Sequence, residues 1–410
     1  MGSIIRHDKE DNALFVQQKK DYTINNYMKL DQSIVTPCYV YDLALLRQTL
    51  DTIISASAGM PARVHYALKA NPDARIVAEV AQRGFGADCV SIGEVRHAIA
   101  CGISADKCVY SGVGKTDPEI IEAIHLGIEC FNVESLEELQ IISHLASQNG
   151  KVAPIALRIN PHIDAHTHHY ITTGLAENKF GIDISLFDQA LHLATTLPGL
   201  RFRGIHCHIG SQILTNEPFA LLCTRINDLV ARARQAGASV DYINVGGGLG
   251  VDYEEPVTNP IADFQGFFDT LRQGLDVPAG ALIHCELGRS IVAQCGTILS
   301  CVIYVKEGLE RHFVIIDAGM NNLIRPALYQ AVHRIDNLSA PNGTPTATYD
   351  IVGPVCETAD TFAEGYVLPR TRRGDILAIR SAGAYAESMA SQYNLRQPAA
   401  VVYTEGEEIL

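Results

Sequence analysis

Eight strand-like runs, alternating with segments of helical period, constrain this chain more than any other feature of its sequence. The runs fall at residues 63–69, 86–90, 107–111, 129–133, 153–159, 203–208, 242–245 and 281–286. The intervening segments open with helix-start signals. Asp73 precedes Ile76, Val77 and Val80; Ser91 with Glu94 and Ser135 with Glu138 have capping-box spacing; Pro118 stands at a first helical position after Thr116 and Asp117. Amphipathic stretches at 186–197, 219–236 and 264–275 continue the pattern. Strands that alternate with helices require right-handed crossovers and a parallel sheet, and eight such units favour a closed (β/α)8 barrel over an open doubly wound sheet.

At 410 residues the chain exceeds one ordinary core, and after Arg289 its pattern changes. Residues 297–306, 312–317, 349–352, 375–380 and 399–404 read as strands separated by Gly, Pro and Asn turns, with no helices of matching length. The expectation is a barrel over 42–290 followed by an all-β domain built from 291–410 together with 1–41, the strand at 37–41 joining it in space. Residues 1–36 read as a polar lead-in with a short element near Leu14.

A net charge of −14 without a Lys/Arg-rich run argues against a nucleic-acid ligand and leaves a small molecule or a protein as partner. There is no apolar stretch of membrane-spanning length and no apolar signal core near the N-terminus, so a soluble cytoplasmic protein is expected. The eleven cysteines are odd in number, scattered and free of Cys-x-x-Cys pairs, which suits buried reduced thiols.

Candidate chemistry gathers where the predicted strands end. Lys69 closes the run Val64-His65-Tyr66-Ala67-Leu68, and a lysine there either reaches into water or serves the face where barrel enzymes build their sites. Asp88, Arg158, His208, the run Gly246-Gly247-Gly248 and Glu286 lie at or just past other strand ends. The glycines read equally as a phosphate cradle or as a tight turn. His206 and His208, two apart on one strand face, with His162, His166, His168 and His169 elsewhere, also admit a weaker metal-site reading. No carboxylate stands at ligand spacing nearby, and no metal is expected. Glu286 and Arg289, three apart, could be a structural ion pair. Cys356 and Glu357 fall in a turn-rich segment of the β domain, and Tyr385 in a small-residue loop. A lysine, phosphate-cradling glycines, a strand-end carboxylate and a flat imidazole together suit pyridoxal 5′-phosphate: a covalent anchor, a phosphate site, a partner for the ring nitrogen and a stacking surface.

Five segments also resemble the successive motifs of the diaminopimelate decarboxylase family, among the alanine-racemase-like, fold-type III pyridoxal-phosphate enzymes. They are Tyr66-Ala67-Leu68-Lys69-Ala70-Asn71, Gly204-Ile205-His206-Cys207-His208-Ile209-Gly210-Ser211-Gln212, Gly246-Gly247-Gly248-Leu249-Gly250, Glu286-Leu287-Gly288-Arg289 and Gly353-Pro354-Val355-Cys356-Glu357. The resemblance runs from about residue 37 to 403. It implies decarboxylation of meso-2,6-diaminopimelate to L-lysine by a homodimer with shared active sites. It further implies Lys69 as the cofactor-bearing lysine, His208 stacked on the cofactor, and Ser211, Gly247 and Gly248 near its phosphate. Asp88, Leu287, Gly288, Arg289 and Tyr385 would be further cofactor contacts, with Glu286 on the ring nitrogen. Arg289, Arg325, Tyr329, Glu357 and Tyr385 would bind substrate, and Cys356, arriving from the other subunit, would be the proton donor. Leu287 stands where the family usually has proline, and Ile92 where glycine is common. Sibling decarboxylases of carboxynorspermidine, arginine or ornithine, a non-catalytic pyridoxal-phosphate carrier and a metal-dependent barrel hydrolase are the alternatives. Two arginines suit a substrate with a second carboxylate. The apolar run around Lys69 leads to the expectation of a neutral amine, and the histidine-rich loop 164–179 to that of a mobile segment over the site.

Overall fold

The computed structural model describes residues 35–163, 179–405 and 408–409. The element near Leu14 and nearly all of the 164–179 loop, with His166, His168 and His169, lie outside the described residues. The chain divides into two compact units, one of Gln48–Gly250 with Asp263–Ile291, the other of Met1–Arg47, Val251–Ala262 and Val292–Leu410.

After β1 (Cys38–Asp42) and α1 (Leu43–Ala56), the first unit runs β2 (Ala62–Ala67), α2 (Ala74–Gln82), β3 (Gly86–Cys89), α3 (Ile92–Ala100), β4 (Cys108–Tyr110), α4 (Asp117–Leu126), β5 (Cys130–Val133), α5 (Leu136–Gln148), β6 (Ala153–Asn160), the short β7 (Ile182–Asp183), α6 (Phe187–Thr196), β8 (Leu200–His206), α7 (Glu217–Gln235), β9 (Tyr242–Asn244), α8 (Phe264–Gly274) and β10 (Leu282–Leu287). Eight of these strands pair in parallel in the order β2-β3-β4-β5-β6-β8-β9-β10, and β10 returns to β2 with Cys285 opposite Val64 and Glu286 opposite His65. The sheet is closed, so no parallel edge is left unpaired.

Local chemistry sets the crossovers. Asp73 accepts from the backbone N–H groups of Arg75 and Ile76, Ser91 from that of Glu94, and Ser135 from that of Glu138. Each bond satisfies a donor that the first helical turn cannot satisfy itself, worth about 1 kcal/mol. Thr116 and Glu119 make a reciprocal capping box, and Gly127, in the left-handed region at φ 71°, stops α4. Pro218 pre-sets the first turn of α7, which therefore begins at Glu217. Helices α7 and α8 bury Phe219, Phe267 and Phe268; the rings of Phe219 and Phe267 meet edge to face at 4.9 Å.

The second unit is a sheet in the order β15-β14-β12-β11-β1-β17-β18, with β16 on β11 and β13 on β16. Its strands are β11 (Gly296–Glu307), β12 (His312–Ile316), β13 (Ile335–Asn337), β14 (Thr346–Val352), β15 (Thr361–Pro369), β16 (Ile376–Ile379), β17 (Ala400–Glu405) and β18 (Glu408–Ile409), with one short helix, α9 (Arg325–Tyr329). β1 is its inner strand, antiparallel to β11 and parallel to β17. Cys38, Val40, Leu299, Leu338 and Ala378 form a core cluster on this sheet. Three strands of this unit have no counterpart among the runs expected from sequence, one of them the two-residue β18. β13 has only three residues, and β15 is interrupted by Glu364-Gly365, where Gly365 takes φ 61° and the pairing with β14 shifts register.

No helix among the described residues is long and apolar enough to cross a membrane.

Candidate active site

Strand β2 stops at Ala67, two residues short of the expected end, because Leu68–Ala70 close a single 3-10 turn and Asn71 is held extended ahead of Pro72. Leu68 and Ala70 point inward, while the Lys69 side chain, 44% exposed, reaches beyond the sheet. The register pairs Ala67 with Asp88 on β3, and this brings Lys69 Nζ to 3.1 Å from Asp88 Oδ2. Asp88 is buried, and its Oδ1 makes no hydrogen bond among the described residues. Burial and the Glu286 charge push the Asp88 carboxyl up; Lys69 pulls it back. The apolar setting expected for Lys69 is therefore not what the fold supplies, since a carboxylate from the next strand stands against the amine.

Glu286, on β10, is buried. Its Oε1 accepts from Asn132 Nδ2 at 2.9 Å and Asn244 Nδ2 at 2.7 Å, and His206 Nε2 lies 3.1 Å from Oε2. Burial opposes its charge, but His206 and Lys69 outweigh that cost and hold the carboxyl well below the usual carboxylate range.

The glycine run follows β9 directly. A Cβ on Gly247 would lie 1.9 Å from the Glu286 carbonyl oxygen, and one on Gly248, at φ 112°, 2.5 Å from that of Gly210. Only glycine lets this backbone wrap so close to β10 and to the loop after β8. The Gly247 N–H donates to His208 Nδ1 at 3.1 Å, so the ring proton of His208 resides on Nε2. Burial, with the charges of Arg158 and Lys69, pushes His208 well below its ordinary value and keeps it neutral. Nε and Nη2 of Arg289, two residues past β10, donate to Ser211 Oγ at 3.2 and 3.1 Å. Arg158 pairs with Glu134 at 2.6 Å and lies over the Phe180 ring.

Lys69, Asp88, His208, Ser211, Gly247, Gly248, Glu286, Leu287, Gly288 and Arg289 thus belong to the C-terminal end of one barrel, the face on which barrel enzymes act. His206 and His208 face different partners, Glu286 and Gly247. A separate group of metal-ligand types, His65, Glu129 and His284, comes together inside the barrel, but the two rings bond each other at 2.9 Å, and Arg63 and Arg203 already neutralise Glu129. A dication there would face both guanidinium groups.

The other expected residues are in the β unit. Arg325 opens α9; it is buried, lies over the Tyr253 ring and donates through Nη1 to His333 Nε2 at 2.6 Å. His333 Nδ1 in turn donates to the Arg380 carbonyl at 2.8 Å. Tyr329 ends α9, where Gln330 turns the chain at φ 53°. The loop carrying Cys356 and Glu357 is folded about Asp360, whose carboxylate accepts from the N–H groups of Val355 and Met320. Cys356 is exposed and its N–H donates to Asn394 Oδ1 at 2.7 Å. Tyr385 sits at φ 57°, a conformation a tyrosine adopts only when its surroundings demand it.

Residues 46–293 match the family model described as "Pyridoxal-dependent decarboxylase, pyridoxal binding domain". The diaminopimelate decarboxylase of Bacteroides thetaiotaomicron is 47% identical over 89% of this chain and 95% of its own length. This chain belongs to the diaminopimelate decarboxylase family. The crystal structure of the family's Helicobacter pylori member complexed with L-lysine superposes with a TM-score of 0.87 at 39% identity, covering 94% of this chain and 95% of that one. The crystal structure of the diaminopimelate decarboxylase of M. jannaschii in co-complex with L-lysine gives a TM-score of 0.85 at 34% identity, over 93% of this chain and 90% of that one. The family's cofactor is pyridoxal phosphate, and the barrel end fits it: a lysine past a strand end, an ionised carboxylate, a neutral imidazole and a glycine cradle that a Cβ would fill.

Asn132 and Asn244, which hold Glu286, are not among the site residues expected from the strand ends. Their signal is an amide inside an otherwise apolar strand, Cys130-Phe131-Asn132-Val133 and Tyr242-Ile243-Asn244-Val245, where a buried polar group needs partners.

Proposed function

We propose that this chain decarboxylates meso-2,6-diaminopimelate, releasing CO2 and L-lysine, with pyridoxal phosphate held at the C-terminal end of the barrel. The observation that carries the reading is the meeting of Lys69, an ionised Glu286 and the Gly246–Gly248 cradle on that one face, in a chain of this family.

Lys69 would be the covalent anchor, and Asp88, 3.1 Å from its amine, would hold it at the barrel end. Glu286, kept ionised, holds the ring nitrogen protonated, and the neutral His208 offers a flat face to the ring. Gly247, Gly248 and Ser211 take the phosphate, Ser211 steadied by Arg289; Asp88, Leu287, Gly288 and Tyr385 complete the cofactor contacts. When bound, the cofactor supplies an electron sink for the pair left on the α-carbon as CO2 departs. Cys356 gives that carbon its proton.

Arg289 and Arg325 bind carboxylates through their planar forks, Glu357 takes the distal ammonium, and Tyr329 and Tyr385 line the substrate. Arg325 suits this role because His333, bonded to the Arg380 carbonyl, fixes its guanidinium. The working form is a cytoplasmic homodimer in which Cys356 serves the partner's barrel. The relatives complexed with L-lysine support a product that ends in both an ammonium and a carboxylate.

The deciding assay follows lysine release from meso-diaminopimelate beside turnover of ornithine, arginine and carboxynorspermidine. Turnover of ornithine alone would sink the assignment. A coloured but inert protein would point to a carrier.

A further inference from the structure

We infer that Tyr242, Asn132 and Asn244 form a positioning network that presents Glu286 to the cofactor ring as an oriented carboxylate and ties it to the phosphate-binding glycines. The inference rests on the reading of Glu286 as the ring nitrogen's partner.

The hydrogen bonds leave one consistent assignment of donors. Asn244 Oδ1 accepts from the Gly246 N–H at 2.8 Å, so the other amide atom is the NH2, and it donates to Glu286 Oε1 at 2.7 Å and to the Tyr242 hydroxyl at 2.6 Å. Having accepted that bond, Tyr242 points its own proton at Asn132 Oδ1, 3.3 Å away. This fixes the orientation of the second amide, whose Nδ2 donates to the same Glu286 Oε1 at 2.9 Å and to Ser111 Oγ at 2.9 Å. Three residues from two strands therefore direct two N–H groups at one oxygen.

A proton on Oε1 would collide with both donors, so the network favours the carboxylate and leaves Oε2, beside His206, as the face turned from the amides. The other charged or titratable groups that interact with Glu286 are Lys69, Asp88, His206, His208, His65, His284 and Cys285, and Tyr242 is buried with its phenol pushed well above the ordinary range, so it stays a neutral donor. Asn244 has a second task. One side chain bonds Gly246 and Glu286 at once, so the spacing between the phosphate cradle and the ring-nitrogen partner is set by a single rigid amide.

The test uses holoenzyme variants N244D, N132D, Y242F and E286Q, following the pH titration of the cofactor's visible absorbance together with kcat and KM. In N244D a second carboxylate replaces a donor 2.7 Å from Oε1; two adjacent carboxylates resist ionising together, so the pair keeps a proton to higher pH. The absorbance titration and the acid limb of kcat are expected to move up together by about 1 pH unit or more, with KM nearly unchanged. N132D is expected to do the same. Y242F removes only the hydroxyl, keeps the ring, and is expected to lower kcat roughly 5- to 10-fold at constant KM by releasing the Asn132 amide. If E286Q is inactive but the other three titrate and turn over like the parent, the network is not a positioning device. Full turnover by E286Q would overturn the reading of Glu286 itself and the inference with it.

Discussion

Lys69 Nζ and Asp88 Oδ2 lie 3.1 Å apart although the aspartate is buried and the lysine side chain is 44% exposed. The pairing follows from the parallel register, which sets Ala67 opposite Asp88 and carries Lys69 past the sheet on the same side. Removing the lysine strands a carboxyl that burial already pushes toward its protonated form, so Asp88 takes up a proton rather than remain a lone buried charge. Lys69→Ala is therefore expected to lose covalent cofactor capture and roughly 10³-fold or more in kcat, with melting temperature nearly unchanged. Borohydride reduction that still fixes the cofactor to the variant would refute the assignment.

Gly247→Ala tests the cradle. The added Cβ meets the Glu286 carbonyl oxygen at 1.9 Å, backbone that cannot swing aside. A cost of about 1–3 kcal/mol in stability is expected, with a larger loss in cofactor affinity. Denaturant unfolding of apoenzyme and reconstitution titrations separate the two. Parent-like behaviour in both would mean that the loop moves freely.

Cys356→Ala tests the proton donor. Cys356 is exposed on its loop and its backbone N–H is held by Asn394, so truncating the thiol disturbs no core. A fall in kcat of about 10²-fold or more with cofactor affinity within a few-fold is expected. Equal losses in both quantities would place the thiol elsewhere.

The pH dependence of stability tests the buried histidines. Burial holds His65 and His284 neutral in the fold, below their unfolded value near 6.5. The unfolded chain then binds protons that the folded chain does not, so this contribution is complete above pH ~6.5 and is lost as pH falls through that value. Each histidine removes at most about 1.4 kcal/mol per pH unit below it. Glu286 and Glu134, both depressed, add their loss only below the unfolded carboxylate value of about 4.3. Melting temperature should fall between pH 6.5 and 5, and less steeply in His284→Gln; equal slopes would show that the pair does not control acid sensitivity.

Strand-end chemistry was readable in one dimension because the runs are apolar and the helix starts carry Asp73, Ser91 and Ser135, residues whose capping role depends on neighbours three positions away. What joins them was not. Asn132 and Glu286 are 154 residues apart in sequence, and only closure of the barrel makes one the donor of the other. The same holds for Asp88, whose partner is set by register, so the expected apolar surroundings of Lys69 gave way to an ion pair. In the β unit, β15 escaped because Glu364-Gly365 breaks the alternation that marks a strand.

The position of β1 has a consequence for synthesis. Cys38–Asp42 leaves the ribosome before any barrel strand, yet its two partners, Gly296–Glu307 and Ala400–Glu405, come after the last one. At roughly 5–20 residues per second, the strand waits tens of seconds with its backbone unpaired, while the barrel can close without it. The β unit is therefore the last part to assemble, and a nascent chain stalled before residue 400 presents an open edge to chaperones and to its neighbours.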